Sequence, residues 1–243
     1  MSNLSQTEMS RIAVEIPACL PILEHFGLRF YDSIPETLEA ACTRAGTPLE
    51  PVLEGLRAAQ NSSETHRRWD HAPLPALVRF ILDNHHSWER QKFLEIRGQS
   101  DHVLKEPGDD FLELRQLRDI FEGMSKGFLA HMKREEQELF PTFLHEVAPG
   151  AGEAQRAQKA QTLLPLLTVL TREHDVLLSQ WDAMKALTGR YTPSEKADEN
   201  HRSLLKELRE LEIYQHQHIH KENFVLFEKI RVIAQGAGEA SPQ

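Results

Sequence analysis

The sequence predicts an all-α protein: an antiparallel, up-down four-helix bundle preceded by a small helical N-terminal domain. Leu, Ala, Glu, Lys and Arg dominate the chain, and aromatic residues make up only 7%, a composition that favours helix over strand. Long segments separated by glycine- and proline-rich stretches are typical of such a bundle. Four of them are predicted, over residues 75–97, 110–145, 160–188 and 197–232.

The residues before the first long segment are predicted to form three short helices. The first is an apolar stretch over 9–26, the second is capped by Ser33 and ends at Gly46, and the third follows Pro48. Small polar residues cap helix N-termini and glycine often follows the last turn. The predicted organisation has four parts: an N-terminal domain over 1–62, a linker over 63–75, the bundle over 76–232 and a flexible tail over 233–243.

Charge and cysteine content narrow the function classes. The formal net charge of −9 argues against nucleic acid or an anionic membrane as partner, because both bind basic surfaces. The chain has no apolar run of 18 residues and no apolar signal core near its first residues, so a cytoplasmic protein is expected. Cys19 and Cys42 belong to no spacing pattern, which excludes a predictable disulfide framework or thiolate cluster.

Two of the long segments carry a stripe at alternating spacings of three and four residues that ends in a histidine followed by a glutamate. This spacing places the residues on one face of a helix. The stripe of the second segment consists of Leu114, Leu117, Phe121, Met124, Phe128, His131 and Glu135. The stripe of the fourth consists of Leu204, Leu208, Leu211, Gln215, His218, Glu222 and Val225.

The other two long segments each place one histidine on an apolar stripe. In the third segment the stripe contains Leu167, Leu170, His174 and Trp181. In the first segment it contains Leu77 or Val78, and then Ile81, His85 and Trp88. A regular helix turns about 100° per residue, so His86 is predicted to point away from the stripe and His85 is preferred.

Six side chains are therefore predicted to converge inside the bundle: His85, His131, Glu135, His174, His218 and Glu222. Four imidazoles can cap two metal ions while two carboxylates bridge them at a separation of roughly 3.5–4 Å. Imidazole and carboxylate suit iron, manganese or zinc. The remaining histidines other than His86 are expected at the surface: His25, His66, His71, His102, His145, His201, His216 and His220, the last two with an alternative role as hydrogen-bond partners of the ligands.

The motifs around these residues resemble those of hemerythrin-like proteins, and more narrowly the repair-of-iron-centres family of iron–sulfur cluster repair proteins. They are HMKREEQELFP at His131, EHD at His174 and HIHKENFVLF at His218, with a similar leading domain and the junction WDHAPLPALVRFIL. The resemblance implies two iron ions in an oxo-bridged centre held by the six residues, with Glu135 and Glu222 as bridges. It also implies a stress-response role in restoring iron–sulfur proteins damaged by nitric oxide or oxidants, with reduction of nitric oxide at the centre.

Three differences from known patterns refine this resemblance. Oxygen-carrying hemerythrins have a second histidine where this chain has Leu178, and end the site with an aspartate rather than Glu222. The repair family carries an adjacent pair of cysteines where this chain has Tyr31 and Asp32, which is interpreted as a turn. The missing thiols favour an alternative, a sensor that binds oxygen or nitric oxide without turnover. A ferritin-like oxidase is a third reading, disfavoured because such sites use Glu-x-x-His.

Overall fold

The structure is a computed structural model that describes residues 4–61, 67–105, 111–144 and 152–236. Every regular element within these ranges is helical, and the only strand-like pairing in them is an isolated bridge between Glu8 and Thr37. The predicted all-α class is therefore confirmed. No helix in these ranges combines the length and the apolar character needed to cross a membrane.

The N-terminal helices differ from the prediction in two places. Their bounds are α1 Met9–Glu15, α2 Leu20–His25, α3 Leu38–Ala45 and α4 Leu49–Gln60. The single helix expected over 9–26 is two helices joined by a 3-10 turn that starts at Pro17, because proline cannot supply the backbone N–H that a helix interior needs. The cap of α3 is Thr37 and not Ser33, since the Thr37 hydroxyl accepts a hydrogen bond from Ala40 N at 3.3 Å.

The four long helices lie where the sequence predicts them. The first comprises α5 Leu74–Phe80, a π-helical segment Ile81–His86 and α6 Ser87–Val103. The second comprises α7 Phe111–Arg134 and a π-helical segment Glu135–Leu139. The third is the single helix α8 Glu153–Leu187. The fourth comprises α9 Glu199–Lys221, a π-helical segment Glu222–Leu226 and α10 Phe227–Gln235. The third helix begins earlier than the expected residue 160.

The three π-helical segments coincide with predicted metal ligands. The first contains His85, the second begins at Glu135 and the third begins at Glu222. A π-turn holds more residues than an α-turn, and such turns occur frequently at functional sites. A stripe extrapolated at 3.6 residues per turn therefore shifts its register where it enters these segments.

The described part of residues 78–145 and 165–215 forms one compact unit, here called the bundle unit. Within it each helix is joined to the next by a side-chain contact: Arg97 with Glu122, His131 with Glu173, Trp181 with Gln215 and Lys92 with Glu207. Further contacts show that the residue order reverses along three of these helix pairs: His86 meets Glu136, Lys185 meets Glu212, and the Tyr214 hydroxyl donates to the carbonyl oxygen of Asn84. The helices α6, α7, α8 and α9 thus close into the predicted antiparallel ring.

The described part of residues 1–77, 146–164 and 216–243 forms the second compact unit, here called the N-terminal unit. In it the short helices pack on the last part of the fourth long helix. Glu24 pairs with His216, and Lys229 Nζ donates to the carbonyl oxygens of Asp70 and Ala72 at 2.7 and 3.1 Å. The domain boundaries expected at residues 62 and 75 stay a prediction. Residues 63–66 of the expected linker, 237–243 of the expected tail, His66 and His145 lie outside the described residues.

Candidate metal centre

A buried cluster in the bundle unit brings together three of the predicted ligands. His131 and Glu135 lie one turn apart where α7 passes into its π-helical segment, and His174 comes from α8. One ligand atom from each lies within 4.8 Å of the others. The Nε2 atoms of His131 and His174 are 2.9 Å apart, and Glu135 Oε2 is 3.5 Å from His131 Nε2.

The chemistry of this cluster fits a cation. His131, Glu135 and His174 are at most 2% exposed, and neither carboxylate oxygen of Glu135 accepts a hydrogen bond from the residues described. An ionised carboxylate buried without compensation is strongly unfavourable. Imidazole nitrogen and carboxylate oxygen are common ligands of iron, manganese and zinc. A divalent ion among these atoms would supply the missing compensation.

Glu173 holds the outer nitrogen of His131. His131 Nδ1 lies 2.9 Å from Glu173 Oε2, and Arg134 donates to the other carboxylate oxygen. The hydrogen bond from His131, together with that from Arg134, lowers the pKa of Glu173 to about 2. An ionised Glu173 accepts the Nδ1 proton of His131, so Nε2 keeps the lone pair that a metal requires.

His86 has the same arrangement, although the sequence predicts it to point away from the site. Its Nδ1 lies 2.8 Å from Glu136 Oε1, to which Arg90 donates at 2.7 Å. The hydrogen bond with His86, followed by that from Arg90, lowers the pKa of Glu136. The second nitrogen of His86, Nε2, lies 3.3 Å from Oε2 of Glu135. The geometry thus places His86 against a predicted ligand.

His85, the predicted ligand of the first long helix, is buried as well. It is 2% exposed, offers a ligand atom within 4.8 Å of one from Glu89, and its ring centroid lies 4.8 Å from that of Tyr214. Two adjacent residues both face inwards here because the π-helical segment Ile81–His86 departs from regular helical spacing. The expectation that one neighbour faces the core and the other does not is therefore wrong. No residue pattern in the sequence marks this π-helical segment, so the inward position of His86 could not be found from spacing.

The second predicted His-Glu pair lies in the N-terminal unit. His218 and Glu222 are both fully buried, one turn apart where α9 passes into its π-helical segment. His218 Nε2 and Glu222 Oε1 are 2.9 Å apart. This pair repeats the His131–Glu135 arrangement in sequence spacing and burial.

His216 and His220 are not surface residues, contrary to the prediction. His216 Nδ1 lies 2.8 Å from Glu24 Oε1, and its ring stacks on that of Tyr31 with centroids 3.6 Å apart. His220 Nε2 lies 3.0 Å from the carbonyl oxygen of Ser10. The N-terminal segment covers this face of the fourth long helix, which its polar sequence pattern did not indicate.

The other histidines divide between surface and interior. His25, His71 and His102 are exposed, as predicted. His201 is only 5% exposed and so differs from the prediction. The alternating spacing of the fourth stripe, continued three residues before Leu204, falls on His201, so the periodicity could have indicated its burial.

Comparison with known proteins places this site in a family context. Residues 78–230 match the model of the hemerythrin HHE cation binding domain. One similar protein is the iron-sulfur cluster repair protein YtfE of Yersinia pseudotuberculosis serotype O:1b, which is 27% identical over 90% of this chain and 94% of its own length. Another is the iron-sulfur cluster repair protein ScdA of Staphylococcus haemolyticus, which is 23% identical over 93% of this chain and 98% of its own length. The similarity to YtfE extends over 219 residues, so it includes much of the chain before residue 78.

Proposed function

Since the chain belongs to the hemerythrin HHE cation-binding family, we propose that it is a di-iron protein that acts in the repair of iron–sulfur clusters. The observation that carries this proposal is the buried His131–Glu135–His174 cluster. Its three side chains share one small volume, and Glu135 receives no hydrogen bond within the described residues. A cation explains the burial better than a structural role does.

The proposed ligand set adds the second predicted His-Glu pair and one histidine of the first long helix to this cluster. We assign His131, Glu135 and His174 to it, with His218 and Glu222 as the second His-Glu pair and Glu135 and Glu222 as bridges. For the first long helix the contact between His86 Nε2 and Glu135 supports His86. The sequence-based choice of His85 stays a prediction. Variants of the two neighbours distinguish these alternatives.

The residues around the ligands would hold each imidazole in one orientation. Glu173 and Glu136 accept the Nδ1 protons of His131 and His86, and Arg134 and Arg90 hold the two carboxylates. Such outer hydrogen bonds fix the tautomer and raise the basicity of a ligand. Two iron ions held by six protein ligands would supply redox change and open positions for a small ligand.

Metal analysis with an optical spectrum tests the proposal. Protein loaded anaerobically with ferrous iron and then oxidised should retain about two iron ions per chain and show near-ultraviolet charge-transfer absorption. Loading after substitution of His131 by Ala provides the control, because the substitution removes a proposed ligand. Zinc retained in preference to iron, or no stoichiometric metal at all, would refute the di-iron centre.

An assay of nitric oxide turnover distinguishes an enzyme that reduces nitric oxide from a sensor that only binds it. Two similar proteins carry the name iron-sulfur cluster repair protein, which supports a repair role and damaged iron–sulfur proteins as clients. In the alternative, the site binds nitric oxide or oxygen reversibly without turnover. Consumption of nitric oxide in many-fold excess over protein, with a reductant present, would support reduction at the site; binding that stops at the stoichiometry of the site would support the sensor.

A further inference from the structure

The bundle unit contains a second buried polar feature, the amide of Gln215. Gln215 lies on the buried stripe of α9 between Leu211 and His218, and its side chain is fully buried. Trp181 Nε1 donates a hydrogen bond to Gln215 Oε1 at 2.7 Å. The Nε2 group of Gln215 is buried and makes no hydrogen bond to any residue in the described ranges. Buried donors are nearly always paired, so this one requires an explanation.

The contact with Trp181 fixes the orientation of the amide. An indole N–H can only donate, so the atom that faces it must be the carbonyl oxygen of Gln215. This removes the usual ambiguity between the oxygen and nitrogen of an amide. The two N–H donors of Nε2 therefore point away from Trp181 in a defined direction.

Both members of this pair lie on the stripes that carry proposed ligands. Gln215 precedes His218 by three residues in one continuous helix, about 4.5 Å along its axis. Trp181 follows His174 by seven residues, about two turns further along α8. The buried stripe of α9 thus presents an unpaired donor about one turn from a proposed metal ligand.

We propose that Gln215 Nε2 donates a hydrogen bond to a small ligand bound at the metal centre. The ligand is of the diatomic or triatomic class with a partly negative outer atom, such as nitric oxide, oxygen or azide. This inference rests on the proposed function. Gln215 is in this view a specificity-determining residue, and Trp181 is a positioning residue that keeps the amide nitrogen turned towards the ligand.

The matched variants are Gln215→Leu and Gln217→Leu. Leucine removes the donor of Gln215 with little change in volume, whereas Gln217 lies on another face of the same helix and is partly exposed. Both variants and the wild type are loaded with iron, their iron content is measured, and azide is titrated as the probe. Loss of one net hydrogen bond should weaken azide binding roughly fivefold in Gln215→Leu, with iron content unchanged and with Gln217→Leu equal to the wild type.

Vibrational spectra give a readout that does not depend on the variant folding. The stretching band of bound azide in the wild type should shift between H₂O and D₂O, because the amide protons of Gln215 exchange. The shift should disappear in Gln215→Leu and decrease in Trp181→Phe, in which the amide can rotate. Equal azide affinity in Gln215→Leu with iron retained, or no D₂O shift in the wild type, overturns the proposal. A wild-type protein that binds no iron would refute the proposed function instead.

Discussion

The Nδ1 atom of His86 lies 2.8 Å from Oε1 of Glu136, and this contact supports His86 as the proposed ligand of the first long helix. A carboxylate that accepts the outer proton of an imidazole is the usual partner of a metal-ligating histidine. Glu173 makes the same contact with His131. Both histidines therefore have a carboxylate partner at Nδ1, and the Nε2 atom of each lies within 3.5 Å of Glu135 Oε2.

Replacement of His86 by Ala should strongly reduce bound iron, whereas replacement of His85 should leave most of it. His86 contacts Glu135 directly and is held by Glu136, whereas in the described part of the bundle unit His85 lies beside Phe80, Glu89 and Tyr214. The measurement is iron per chain after loading and desalting. The opposite result would support the choice made from helical spacing and would mean that the π-helical segment does not set the register of the ligand.

Replacement of Glu173 by Gln should weaken metal binding about 10- to 100-fold, the usual effect of removing an outer partner of a histidine ligand. Gln keeps the size of the side chain but lacks the charge that favours the Nδ1 proton of His131. Competition with a chelator measures the affinity. The control is Glu122→Gln, which alters an ion pair between α7 and Arg97 of α6 and should leave the affinity unchanged.

Replacement of Glu135 by Gln should affect the metal-free and metal-loaded protein in opposite directions. Without metal, the variant removes a buried charge that receives no hydrogen bond from the described residues, so the free energy of unfolding should stay equal or rise. With metal, the wild type gains stability through binding, about 4 kcal/mol at a thousandfold excess over Kd, and the variant loses most of that gain. Denaturant unfolding with and without a chelator measures both. A lower stability of the metal-free variant would contradict the argument.

The stripes of the long helices could be predicted from the sequence because regular periodicity extends almost to the ligands. All seven positions of the second stripe, from Leu114 to Glu135, are buried, as are those of the fourth from Leu204 to Val225. The choice between His85 and His86 could not be predicted, because it depends on a π-helical segment that no residue pattern announces. Extrapolation at 3.6 residues per turn fails where the helix itself changes its spacing.

The burial of His216 and His220 could not be predicted for a different reason. Both lie on the polar side of the fourth long helix, and sequence periodicity identifies only the face that meets the bundle interior. Contacts of Glu24 with His216 and of Ser10 with His220 join positions roughly 200 residues apart in the chain. Such long-range contacts depend on tertiary structure and not on local pattern.

The stability of the metal-free protein should decrease as pH falls from about 6.5 to about 4, in part through His220. Burial lowers the pKa of His220 from 6.5 to about 4. The neutral ring is therefore favoured in the folded protein, and its contribution is present above pH 6.5 and lost as the pH falls towards 4. The difference between the two pKa values corresponds to roughly 3 kcal/mol.

The comparison of wild type with His220→Phe isolates this effect. Phe keeps a ring beside Phe30 but has no group that titrates. The free energy of unfolding of the wild type should fall relative to that of the variant between pH 6.5 and 4. The exposed His102 provides a control, since His102→Phe should follow the wild type across this range. A constant difference between wild type and His220→Phe would exclude His220 as the source.

Alkylation of the native protein should leave both cysteines unmodified and the iron content unchanged. Cys19 is fully buried and Cys42 is 2% exposed. Burial raises the pKa of Cys19 to about 12 and also raises that of Cys42, so little reactive thiolate forms at neutral pH. The resemblance to the repair family places Tyr31 where that family has adjacent cysteines, and the buried ring of Tyr31 stacks on His216 and cannot cycle between thiol and disulfide.

Mass spectrometry after iodoacetamide treatment measures this directly. The native protein should gain no label, whereas the denatured chain, which has two cysteines, should gain two. Iron content and consumption of nitric oxide should be equal before and after treatment of the native protein. If native protein gains a label and loses consumption of nitric oxide while its iron is retained, a cysteine takes part in the chemistry. The exchange of the family's thiol pair for Tyr31 and Asp32 would then not have removed thiol chemistry from this protein, and the sensor alternative would lose its support.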